Sequence, residues 1–272
     1  MTIKHIFLVY LLLLTYSNSI ESINIHVKRL KRAYPEHIIA INAHSITWAD
    51  GTVMPLFDNR PHKSQQEKLD TPSLADQLNQ PAYVAGMPKH PATYAPCNDP
   101  GRIRYEPFFR KMYGNSADEV RAHLVQVPWM PNVFGKGTYV LSVTTVNKVH
   151  EKIAAISREL ENLVRTHPNF IPFLKNPGGT FSWRLIANTN RLSGHSFGMT
   201  IDINATLSQY WQWDLKEAHR AITEDALLTY RNEIPWGIVR IFEKHGFIWG
   251  GKWYHYDTMH FEYRPELFSH AS

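Results

Sequence analysis

Between Thr144 and Pro168 the apolar residues fall at Val146, Val149, Ile153, Ile156, Leu160 and Leu163. Steps of three and four put them on one stripe of an α-helix, with Thr144 or Thr145 as cap and His167-Pro168 as stop. Such a stripe must be covered by another layer, so this helix has to pack on something. The strand candidates that can cover it are 138–143 before the helix and 183–187, 199–203 and 259–263 after it. Two more helices are expected. One starts from an Asp214/Glu217 capping box and reaches about Tyr230. The other begins at Pro235, carries Ile238, Val239, Ile241 and Phe242, and closes at Gly246. Helices and strands do not alternate strictly, which predicts an α+β fold with an antiparallel sheet and packed helices.

Patterning is weaker towards the N-terminus. Residues 20–126 hold ten of the seventeen prolines, and only a hairpin around Asp50-Gly51 stands out, as a type I′ pair. This stretch reads as an irregular arm laid over a core domain at 127–272. Residues 1–19 read as a signal peptide, with Lys4, an apolar run from Ile6 to Leu14, and Ser17-Asn18-Ser19 at the cleavage end. The apolar run is about half of the ~20 residues that span a bilayer, so no stable membrane span is expected after cleavage. The expected destination is the periplasm, the cell wall or the exterior.

Of 272 residues one is cysteine, Cys97, which excludes an intrachain disulfide framework and any cysteine-cluster metal site. Fifteen histidines leave imidazole and carboxylate as the metal ligands on offer. The net charge of +5 fits an acidic partner, but no nucleic-acid motif accompanies it and no nucleic acid is expected.

Two motifs carry chemistry. In Ser193-Gly194-His195-Ser196-Phe197-Gly198-Met199-Thr200-Ile201-Asp202, two glycines permit a tight loop around His195 before a strand carrying Asp202. In Asp257-Thr258-Met259-His260-Phe261-Glu262, a carboxylate stands three residues before a histidine. Together they offer the set a catalytic zinc needs: three protein ligands, an open position for water and a nearby base. Residue types alone equally allow two core strands with hydrogen-bonded histidines. Gly194-His195-Ser196-Phe197-Gly198 also matches the G-x-S-x-G nucleophile elbow. That elbow must follow a buried strand and open a helix, and here it follows polar residues and opens a strand. His150-Glu151 begins an H-E-x-x-H zincin motif, but position 154 is Ala.

The two motifs resemble those of the zinc D-Ala-D-Ala carboxypeptidase family, which includes L-alanyl-D-glutamate endopeptidases. Its pattern S-x-H-x-x-G-x-A-x-D, then [D/E]-x-x-H, is filled by Ser193, His195, Gly198, Asp202, Asp257 and His260, with Thr200 in place of the alanine. The resemblance covers roughly 127–272. It implies a hedgehog/DD-peptidase-like fold and one zinc ion held by His195, Asp202 and His260. It also implies Asp257 as general base, Arg184 gripping the substrate's carboxylate, and Ser193 bonding substrate or fixing the loop; Arg191 rivals Arg184 for the carboxylate. The implied substrate is the stem peptide of peptidoglycan. Asp rather than Glu before the last histidine leans towards L-Ala-D-Glu cleavage over D-Ala-D-Ala. The same fold serves partner recognition in hedgehog domains, so a non-catalytic zinc-containing binding module is the alternative. Trp249, Trp253, Tyr254 and Tyr256 are expected mostly in the core, with one or two rings enough to line a groove.

Overall fold

The computed structural model describes residues 27–86 and 98–268. The signal segment and Cys97 lie outside the described residues. The molecule is α+β, with helices packed on three small antiparallel sheets.

The first sheet joins β1 (Ile38–Ile41), β2 (Ser45–Trp48) and β3 (Val53–Pro55), with β2 central. Its second hairpin turns at Asp50-Gly51 as expected, but not as a type I′ pair. Only Gly51 has positive φ, at 83°. Gly51 N–H donates to Trp48 O at 2.9 Å, and the Asp50 carboxylate accepts from Thr52 N–H at 3.0 Å. The loop is therefore three residues closed by one left-handed glycine.

The second sheet pairs β4 (Leu124–Pro128) with β5 (Val140–Thr144), Leu124 opposite Thr144. The third has the order β6 (Thr200–Asp202), β8 (His260–Tyr263), β7 (Phe247–Trp249). Its register sets Asp202 directly opposite His260 and Thr200 opposite Glu262. Residues almost sixty positions apart are thus brought to one sheet by strand pairing.

The long helix spans Val149–Thr166 and buries Val149, Ile153, Ile156, Leu160 and Val164. It starts later than the threonine cap predicts, because Asn147 and Lys148 take left-handed φ of 55° and 57°. The Asn147 amide donates to Tyr113 Oη at 3.2 Å, an attachment a regular helical start would not offer. Helix Trp236–Lys244 packs against the long helix and lays Phe242 flat on Phe261 of β8, ring centroids 3.9 Å apart. Against the turn that precedes β6, helix Glu106–Tyr113 places Phe109 and Tyr113 on Phe197, at 5.6 and 6.1 Å between centroids. One hydrophobic cluster runs from Val27 to Phe268, so residues before 127 share the core with those after it.

Two expected elements differ. Residues 183–187 are not a strand: Asn188 has φ of 61° and turns the chain, and only Leu185 and Leu192 bridge. Leu185 is half exposed, so the segment has no buried face to hold it in a sheet. The helix expected from Asp214 to Tyr230 is only Trp211–Glu217. Asp214 sits inside it rather than capping it, its carboxylate accepting from Tyr256 Oη, and His219 breaks the helix with φ of 53°.

Candidate metal centre

Ser193 opens a 3₁₀ turn, Gly194–Phe197, that carries His195. Its hydroxyl oxygen accepts the His195 N–H at 3.3 Å. Gly198 ends the turn with φ of 63°, and a Cβ there would lie 2.7 Å from Leu124 Cδ2. Gly194 is tight for a different reason. A Cβ on it would meet Thr200 Cγ2 at 2.9 Å and Glu262 Oε2 at 3.2 Å. Both motif glycines thus admit a close approach that a side chain would block.

The turn brings His195 to Asp202, and the register of β6 on β8 brings Asp202 to His260. His195 Nε2 lies 3.1 Å from Asp202 Oδ2, and His260 Nδ1 lies 3.0 Å from Asp202 Oδ1. One ligand atom from each of the three side chains falls within 4.8 Å of the others. His195 Nδ1 faces the Thr180 carbonyl at 3.2 Å. A carbonyl only accepts, so Nδ1 carries a proton there, and Nε2 is the nitrogen that faces Asp202.

The electrostatics of this group are those of a site short of positive charge. Burial disfavours an ionised Asp202, yet His195 and His260 hold its carboxyl well below the ordinary range. Burial also works against a charged His260, but hydrogen bonds to Asp202 and Glu262 carry it up to about 10. Asp257 is pushed up to about 7, first by burial and then by Asp202, against the pull of His260. Its Oδ1 is shut off from solvent and has no hydrogen-bond partner among the described residues. A buried carboxylate oxygen without a partner, beside two imidazoles and a second carboxylate, fits a divalent metal and its water.

The other expected residues stand apart from the triad. Arg184 runs alongside the turn through its backbone, its N–H donating to Ser196 Oγ at 3.2 Å and its O accepting Ser193 N–H at 3.0 Å. Its side chain is exposed, and among the described residues its guanidinium reaches only Leu185 O, at 3.4 Å. Arg191 is packed instead, 3.6 Å from Asp70, and with Arg102 and Arg104 lines a cavity of about 350 Å³ beside the centre. None of the triad lines that cavity. The aromatic stretch is mainly core. Trp249 and Trp253 are buried and donate to Thr258 O and Pro100 O at 2.9 and 2.7 Å.

Sequence reasoning passed over Glu262, although it stands in the quoted motif. Its Oε2 is 3.2 Å from His260 Nε2. The period-two alternation of a strand puts residues 260 and 262 on one face, and that signal was available.

Two imidazoles and a carboxylate with a further carboxylate close by make up the donor set that metal-dependent hydrolases use. Residues 187–263 match the family model described as D-alanyl-D-alanine carboxypeptidase, so the resemblance read from the motifs holds over that segment. That match supports, at the level of the family, a peptidase acting on peptidoglycan, and the family is one of metallopeptidases. The matched segment includes Ser193, His195, Asp202, Asp257, His260 and Glu262, and leaves out Arg184 and the whole N-terminal region. No curated protein and no solved structure matches the chain.

Proposed function

We propose that this protein is an exported zinc peptidase that hydrolyses a peptide bond in peptidoglycan stem peptides, of D-Ala-D-Ala carboxypeptidase or L-Ala-D-Glu endopeptidase type. In this reading 1–19 is the signal, 20–126 an arm packed on the core, and 127–272 a hedgehog/DD-peptidase-like domain. The amino-terminal charge and apolar run support export, and among the described residues no helix is long and apolar enough to cross a membrane.

The observation that carries the reading is Asp257. A general base works best with a pKa near the operating pH, and burial has moved this one there, with one oxygen unclaimed. His195 through Nε2, Asp202 and His260 would hold the metal. A zinc ion bound there supplies Lewis acidity to water and to the scissile carbonyl. Asp257 takes the proton from the attacking water and returns it to the leaving amine as the C–N bond breaks. Arg184, exposed beside the turn, reaches the substrate's carboxylate with a two-pronged guanidinium. Ser193 holds the His195 loop through its hydroxyl.

The test is mass spectrometry of muropeptides after incubating purified protein with peptidoglycan and zinc, beside an Asp257→Ala control. Loss of one terminal D-Ala that disappears in the control identifies a carboxypeptidase. Release of stem peptide beyond L-Ala identifies an endopeptidase. No zinc-dependent product from the intact protein overturns the enzyme and favours a binding module.

A further inference from the structure

Glu262 is fully buried and its carboxylate is bonded on three sides. Oε2 faces His260 Nε2 at 3.2 Å. Arg104 approaches through Nε, at 3.0 and 3.1 Å from the two oxygens, and through Nη2 on Oε2. Arg264 Nη1 donates to Oε1 at 2.9 Å. Arg264 is in turn tied to Glu266 at 2.6 Å, and Glu266 accepts from Tyr34 Oη at 2.7 Å. Two arginines and two glutamates cancel, so the network holds Glu262 as a carboxylate without stranding a buried charge.

An ionised carboxylate only accepts hydrogen bonds. Facing it, His260 Nε2 must carry a proton. Nδ1 is then the nitrogen left to face Asp202 and a metal ion, and His195 Nε2 points to the same carboxylate. We infer that Glu262 is a positioning residue of the metal centre: it fixes the tautomer and ring orientation of His260, and Arg104 and Arg264 hold it in that task. Arg104 lies outside the matched segment 187–263, so part of the centre's support comes from a region with no family pattern. The inference rests on the reading of His195, Asp202 and His260 as the metal ligands.

The test measures zinc affinity by chelator competition on the full chain, and the ligand-field spectrum of the cobalt(II)-loaded protein, for the wild type, Glu262→Gln, Arg104→Met and the double variant. Removing a partner of this kind lowers metal affinity on the order of 10- to 100-fold. Glu262→Gln is expected to show that loss with an altered cobalt spectrum, and Arg104→Met a smaller loss in the same direction. Because Arg104 acts through Glu262, the double variant should bind no more weakly than Glu262→Gln. Should Glu262→Gln not fold, Arg104→Met decides, since Arg104 borders a cavity and Arg264 still holds the carboxylate. Unchanged affinity and spectrum in the folded variants, with tight zinc binding by the wild type that is lost in His260→Ala, overturns the role of Glu262 alone. A wild type that binds no zinc overturns the ligand reading and this inference together.

Discussion

Asp257→Asn should make the metal-stripped protein more stable at neutral pH while it destroys activity. Burial raises the Asp257 pKa from its ordinary 3.8 to about 7, so the folded protein keeps a proton that the unfolded chain has already released. For an acid shifted this way the stabilising effect of that proton is complete below 3.8 and is lost as pH climbs through about 7. At about 1.4 kcal/mol for each pH unit, the interval is worth on the order of 4 kcal/mol by pH 8. Asparagine has nearly the same shape, still accepts the Met259 N–H, and never ionises. The stability gap between the two proteins should therefore be small near pH 4 and widen to a plateau above pH 7.

Urea unfolding of chelator-treated protein at a series of pH values measures the gap directly. Adding zinc should narrow it, because a nearby cation favours the ionised carboxylate that the wild type alone possesses. Peptidase activity of the loaded variant should fall about 10²- to 10⁴-fold, the usual contribution of a positioned base. A gap that is flat with pH, or a variant less stable than the wild type at pH 8, would refute the claim that Asp257 is held against its own ionisation.

Three further outcomes are expected. Zinc loading near pH 7 should release between one and two protons, one from His260, whose pKa stands at about 10 before loading, and part of one from Asp257, at about 7, and affinity should fall as pH falls; calorimetry in buffers of different ionisation enthalpy counts them. Arg184→Ala should lower kcat/KM about 10- to 150-fold on peptides with a free carboxylate and much less on their amides, the worth of a hydrogen bond to a charged group; equal losses on both would remove Arg184 from substrate binding. Phe242→Ala, which removes the ring stacked on Phe261 behind β8, should cost about 3–5 kcal/mol in urea unfolding.

The triad was legible in the sequence because its parts are local. A glycine-flanked turn and a short alternating strand need few distant contacts, and the structure sets their side chains together through the Asp202–His260 register. The apolar stripes of the helices at 149–166 and 236–244 were legible for the same reason, since a 3.6-residue period survives without its partners. What failed depended on distant partners. Nothing near Asp214 announces that its carboxylate is committed to Tyr256, forty-two residues on, rather than to a helix cap. The strand pattern at 183–187 was outweighed by a left-handed Asn188 and by the exposure of Leu185. Arg104 meets Glu262 across 158 residues, and no spacing rule reaches that far.

His260 and Asp257 hold protons against opposite tendencies of burial, and one cause explains both. Burial should neutralise His260, yet it is held charged; burial should neutralise Asp257, and it is. Around these two groups stand Asp202, stripped of its proton, and Glu262, whose charge Arg104 and Arg264 share with Glu266. The arginine–glutamate network is balanced within itself and lends the centre no spare positive charge. The excess negative charge is therefore met by protons, one on His260 and one on Asp257 near neutral pH. A divalent cation between His195, Asp202 and His260 would replace that pair of protons with two units of fixed charge. Releasing the His260 proton frees Nδ1 to ligate, and releasing the Asp257 proton leaves a carboxylate ready to accept one from water. On this account metal binding and activation of the base are a single electrostatic exchange, which is why a neutral residue at 257 should stabilise the stripped protein and disable the loaded one.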